Sequence, residues 1–179
     1  MTFKEEVYQN FVNDFSLTLR NKIEGLEISK LIFLCIGTDR ITGDSFGPLV
    51  GYKLKNIFYG EENIEVIGDL ENIVNSGNII RILDRIEKSY ELPFLIAIDA
   101  AVSNKKEVGR IVVSNSKMNV ASCFSNRKIF VGDISIKGIV SKKLINPRYN
   151  FRLLQNVPLN TIMNMADTVA QGISRVINV

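Results

Sequence analysis

A single α/β domain, a three-layer α/β/α sandwich around a mostly parallel sheet, is the fold class that this 179-residue sequence predicts. Three observations predict it. The apolar runs at 31–36 and 93–98 have the length of strands buried on both faces, and each empties into a polar turn. Segments with apolar residues three or four apart alternate with such runs, which is the pattern of strands joined by crossover helices. An apolar content of 46% is enough for one core, and no repeat, low-complexity tract or linker divides the span 1–179.

The elements follow in order. Phe3, Val7, Phe11, Phe15, Leu19 and Ile23 recur every four residues, so 3–24 forms a helix with one apolar face, and 1–28 is read as an N-terminal docking segment. The first strand is 31–37. The next helix starts at Gly47-Pro48, because proline is tolerated at the first helical position, and runs through Ile57. A short strand at 64–68, a helix at 77–90 with Ile79, Ile80, Leu83 and Ile86, and a strand at 94–98 complete the alternation. Two further strands are read at 108–114 and 128–131, joined by a polar loop at 115–127 that is too long for a simple hairpin. A helix at 159–177 closes the chain, with Met163, Met165, Ala166 and Ala170 read as packing residues.

Composition removes several chemistries. The chain has no histidine, so Ser-His-Asp triads, Cys-His dyads and histidine-containing zinc sites are excluded. A Ser-Lys pair such as Ser135 with Lys137 is the form of activated serine that remains, and nothing in the pattern favours it. Cys35 in a strand and Cys123 in a polar loop make neither a metal spacing nor a disulfide framework, as expected in a reducing cytoplasm. No apolar stretch reaches the roughly 18 residues of a membrane span, and the N-terminus has no secretory pattern. A net charge of +3 with dispersed basic residues gives no reason to expect nucleic acid.

What remains are aspartates. Asp44 lies in the turn that follows the first strand, and Asp99 ends the strand at 94–98. In open α/β sheets ligands bind outside the carboxyl ends of the strands. If the two strands are neighbours, about 4.8 Å apart, the two carboxylates can share a proton or a water, and like charges then force one pKa up. Asp44 alone also suits a helix cap or a turn. Asp39, Thr42, Ser45 and Asp133 are read as substrate-binding or supporting neighbours. The stretch 37–45 echoes a phosphate loop, but its gap is one residue too long and Asp44 stands where a lysine would meet phosphate.

Residues 35–40 and 42–51, then Ile98-Asp99-Ala100, then 131–136 with Gly138-Ile139-Val140, and finally Leu154-Gln155-Asn156 with 163–172, resemble the YyaC-type sporulation and spore protease family. The resemblance spans most of the chain from residue 31 onward. More distantly the chain is similar to the germination protease of spore-forming bacteria and to the hydrogenase maturation endopeptidases, which implies their phosphorylase/hydrolase-like three-layer fold. The resemblance to the germination protease implies an aspartic peptidase in which its two functional aspartates match Asp44 and Asp99. It also implies a protein or peptide substrate such as small acid-soluble spore proteins, no cofactor, and a place in the cytoplasm or forespore. In the hydrogenase peptidases the corresponding positions hold acidic nickel ligands assisted by a histidine, which this chain lacks. Two other readings stay open: a metal-binding maturation endopeptidase with Asp39 or Asp133 as third ligand, and a silent scaffold with the same fold. An uncovered part of the first helix's apolar face would provide a contact between copies of the chain.

Overall fold

The computed structural model describes residues 2–121 and 128–178. Its main sheet has five strands: β1 (Lys30–Cys35), β2 (Ile64–Ile67), β3 (Pro93–Ser103), β4 (Ile111–Ser114) and β7 (Ile134–Lys142), in the order β2-β1-β3-β7-β4. The first four strands in that order are mutually parallel, and β4 runs antiparallel on the edge. The α/β class with a mostly parallel sheet is therefore as read from the sequence. The remaining strands, β5 (Met118–Ala121) and β6 (Lys128–Val131), form a separate antiparallel pair.

Helices α1 (Phe3–Ile23), α2 (Phe46–Ile57) and α5 (Leu159–Ile177) cover one face of the sheet, where Phe33, Cys35, Ile96, Ile98, Ile134 and Ile136 point. The other face carries Ile32, Leu34, Ile36 and Ala97. It packs against α3 (Ile79–Ser89) and against Met118, Val120 and Val131 of the β5–β6 pair, so a hairpin takes the place of a second covering helix. Strict alternation along β1 and β3 is what allows both faces to be dry.

Helix α1 docks as its apolar spacing predicts, and it starts at a capping box in which Thr2 and Glu5 satisfy each other's backbone N–H groups. Phe11 and Phe15 stack with centroids 5.8 Å apart, and Phe11 lies over Gly172 of α5. Phe3, at the start of the same stripe, is 57% exposed.

Three features depart from the sequence reading. The segment 115–127, read as loop, contains β5, whose antiparallel partner is β6. Strand β7, second from the edge and flanked by β3 and β4, was not read as a strand, because Gly138 breaks the alternation that Ile134-Ser135-Ile136-Lys137 begins. Helix α4 (Pro147–Gln155) was also not anticipated. Cys123 lies outside the described residues. Among the described residues no helix is long and apolar enough to cross a membrane.

Candidate functional site

The connections determine where the site lies. From β1 the chain passes through α2 on one face to β2, then through α3 on the other face to β3, on the far side of β1. The path out of β1 and the path out of β3 thus diverge at their carboxyl ends, which makes this the switch point, the place of the ligand crevice in open α/β sheets.

Asp44 comes to this crevice from the β1 side. After Ile36 the chain turns at Gly37, whose φ of +145° is accessible to glycine, and a side chain there would run into the Asp44 carbonyl oxygen at 2.1 Å. A single 3-10 turn, Thr42–Ser45, then leads into α2. Thr38 N–H donates to the Asp44 carbonyl at 3.1 Å, and Asp44 N–H donates to the Ile41 carbonyl at 2.9 Å, so the backbone on both sides of the carboxylate is tied down. Helix α4 closes over the turn from outside, with Leu154 against Gly43.

Asp99 comes from β3, and its placement differs from the sequence reading in one respect. It does not end the strand. Pairing of β3 with β1 stops at Ile98, opposite Cys35, while pairing with β7 continues to Ser103. Asp99 is therefore the first residue beyond the reach of β1, which is what exposes it to the crevice. Its Oδ1 accepts the Ala100 N–H at 2.7 Å.

The two carboxyl groups feel each other. Burial pushes Asp99 well above the ordinary carboxylate range, the negative charge of Asp44 raises it further, and the Ala100 N–H and Lys137 only partly oppose this. Asp44 is also raised, by burial, against the Thr38 N–H. Both side chains are half-buried, so solvent reaches them. Both carboxyls are thus shifted in the same direction, Asp99 by burial and by the charge of its neighbour and Asp44 by burial.

The supporting residues divide. Ser45 is buried, and its hydroxyl donates to the Thr42 backbone carbonyl at 2.7 Å, so the Ser45 side chain serves the turn itself; Thr42 is half-buried at the start of that turn. Asp39 is exposed on the outer part of the loop. Asp133 is at the opposite edge of the sheet, contrary to its reading as a neighbour of the pair. It precedes β7, where its Oδ2 accepts the Leu95 N–H at 2.9 Å and its own N–H donates to the Leu95 carbonyl at 2.7 Å. It ties the amino end of β7 to β3.

Of two further residues of interest, one was not singled out and the other was weighed only as a partner for Ser135. Asp69, just past β2, is 3% exposed; it accepts the N–H groups of Glu71 (2.8 Å) and Asn72 (2.5 Å) and pairs with Lys55. Burial would raise its pKa, but Lys55 and the two N–H groups outweigh that and hold the carboxyl below the usual range. The signal was present as an apolar strand ending in Gly68-Asp69. Lys137 is the second, placed directly across from Asp99 in the β3–β7 register.

As a metal centre the arrangement is poor. The chain holds no histidine, and among the described residues no three His, Cys, Asp or Glu side chains gather closely enough to hold an ion. Asp39 and Asp133, the third ligands that a metal-binding reading of the pair needs, do not gather with Asp44 and Asp99.

Comparison with known proteins places these features in context. A family profile described as "Protein of unknown function (DUF1256)" matches residues 3–172. The Bacillus subtilis (strain 168) protein YyaC, described as uncharacterized, is 37% identical over 144 residues, covering 80% of this chain and 68% of YyaC. Among solved structures, the [NiFe] hydrogenase maturation protease HycI from Thermococcus kodakarensis KOD1 superposes with a TM-score of 0.56 at 15% identity, over 90% of this chain and 99% of HycI. At that identity the likeness is one of fold.

Proposed function

This chain belongs to the DUF1256 family, and from that premise we propose that it is a peptidase that hydrolyses a peptide bond with Asp44 and Asp99 as a proton-sharing pair. The observation that carries the reading is the placement of the two carboxyls past the carboxyl ends of the neighbouring strands β1 and β3, where burial and the charge of Asp44 raise Asp99 above the ordinary carboxylate range. The maturation protease fold of HycI and the resemblance to spore proteases support the same reaction class.

The roles follow from the asymmetry. Asp44, the more readily ionised, takes a proton from a water as its oxygen attacks the peptide carbonyl carbon, while Asp99 donates a hydrogen bond to the carbonyl oxygen. Collapse of the tetrahedral intermediate breaks the C–N bond, and the proton held by Asp44 passes to the leaving nitrogen. Backbone bonds from Thr38 and to Ile41 keep Asp44 in place throughout. The substrate we propose is a protein of the spore or of sporulation, such as a small acid-soluble spore protein, met in the cytoplasm or forespore without nucleic acid or membrane.

Incubating the purified chain with such proteins and reading the products by mass spectrometry tests this. D44N should lower cleavage by about a thousandfold, the worth of a positioned base, and D99A by about a hundredfold, the worth of a hydrogen bond to the developing oxyanion, while both variants stay folded. Cleavage by either variant at the parental rate removes that residue from the mechanism, and a parent that cleaves nothing favours the silent scaffold.

A further inference from the structure

Lys137 is half-buried in β7, and among the described residues its ammonium makes no hydrogen bond or ion pair. A lysine on an inward strand face is costly unless something nearby uses its charge. Its surroundings identify the user. Ile134, Ile136 and Val140 point to the face covered by α1, α2 and α5, so Ser135 and Lys137 point to the other face, with Ala97 and Asp99 beside them across β3. On its other side β4 presents Val112, which carries no charge. Asp99 is thus the charged group that faces Lys137 from the packed strands, with Asp44 behind it from the turn. The lysine stays beyond ion-pair contact yet close enough for its charge to act on Asp99.

The charges balance. Two carboxyls sharing one proton carry a single negative charge, and Lys137 supplies the single positive one. Resting on the reading of Asp44 and Asp99 as a coupled pair, we propose that Lys137 is the resident cation of this site, a positioning residue that balances the pair's charge and thereby excludes divalent metal ions. A divalent ion entering beside the ammonium meets a site already neutral. Without the ammonium, the two carboxyls would offer a hydrated divalent ion two oxygen ligands and an uncompensated negative charge, with water completing the shell that no third side chain fills.

The test compares the full-length parent with K137M, K137R and the double variant K137M/D99N. Thermal unfolding is followed with and without added manganese or magnesium, together with cleavage of the same substrate. We expect K137M to gain a metal-dependent rise of several degrees in Tm by mass action. The parent, K137R and K137M/D99N should show no such rise. K137M should lose about tenfold or more in kcat, the scale of one nearby electrostatic group, and K137R should retain most of it. The proposal is overturned if K137M gains no metal stabilisation, if the parent or K137R is stabilised as much, or if K137M/D99N still is. Should K137M fail to fold, K137Q makes the same comparison. A parent without peptidase activity removes the proposed reaction, while the metal comparison still decides the role of Lys137.

Discussion

Asp99 on β3 and Asp69 just past β2 are pushed in opposite directions by their surroundings, and stability should register the difference. Asp99 is raised by burial and by Asp44, so its folded state prefers the proton. Its contribution is favourable below the ordinary carboxylate range and is lost as pH rises through its raised titration. D99N should therefore be more stable than the parent at neutral pH, and the difference should vanish below about pH 3, where the carboxyl is protonated folded or unfolded. Asp69 is lowered by Lys55 and two backbone N–H groups, against the pull of burial, and stabilises above the ordinary carboxylate range. D69N keeps an Oδ1 to accept the two N–H groups but loses the pair with Lys55 and should cost about 2 kcal/mol at neutral pH, and the cost should fade as pH falls through Asp69's own low titration. Urea unfolding across pH measures both, and equal pH dependence in the two variants would refute the assignment. Asp44 and Asp99 were legible as apolar runs giving way to a carboxylate. The place of Asp133 was not, because it depends on β7 beginning one residue later and on a bond to Leu95, far away in the chain.

At the scale of elements, the site depends on how α2 is seated. Its first turn lies so close to the sheet that a Cβ on Gly47 would sit 2.0 Å from the Ile36 carbonyl oxygen, and Phe46 lies over Gly138 of β7 with ring atoms 2.8 Å from where a Cβ would be. Gly138→Ala should therefore destabilise the protein by about 1–3 kcal/mol, as overpacking does, and should lower cleavage more than stability alone explains, because the displaced Phe46 is two residues from Asp44. Denaturant midpoints read beside cleavage rates check this; a G138A protein as stable and active as the parent would show that α2 tolerates a shift. The strongly periodic helices at 3–24, 77–90 and 159–177 were legible because apolar spacing survives whatever they pack against. Strand β7 escaped because its glycine and lysine are tertiary choices, one making room for Phe46 and the other facing Asp99.

Across the whole molecule, the two faces of the sheet are unequally covered. Three helices hold one face, while α3 and the β5–β6 pair hold the other, and β5–β6 makes no ladder with the main sheet. Native-state hydrogen exchange should show the amides of β1 and β3 around Phe33, Leu34, Ile96 and Ile98 opening only with global unfolding, and those of β5 and β6 opening locally at lower cost. Uniform protection through both sheets would show instead that the hairpin is an integral part of the core.

The sequence alone was sufficient for the α/β class, for the order of its long helices, for the kinship with YyaC and for the suspicion attached to Asp44 and Asp99, since apolar periodicity and strand-to-turn transitions are local properties of the chain. Tertiary structure alone decided that β1 and β3 are neighbours across the switch point, that β3 runs on past Asp99 beside β7, that Asp133 serves the opposite edge and that Lys137 faces the pair. The reason is that strand order and register are set by which faces must be buried together, an energy summed over the whole sheet, and no segment of the chain carries that sum by itself.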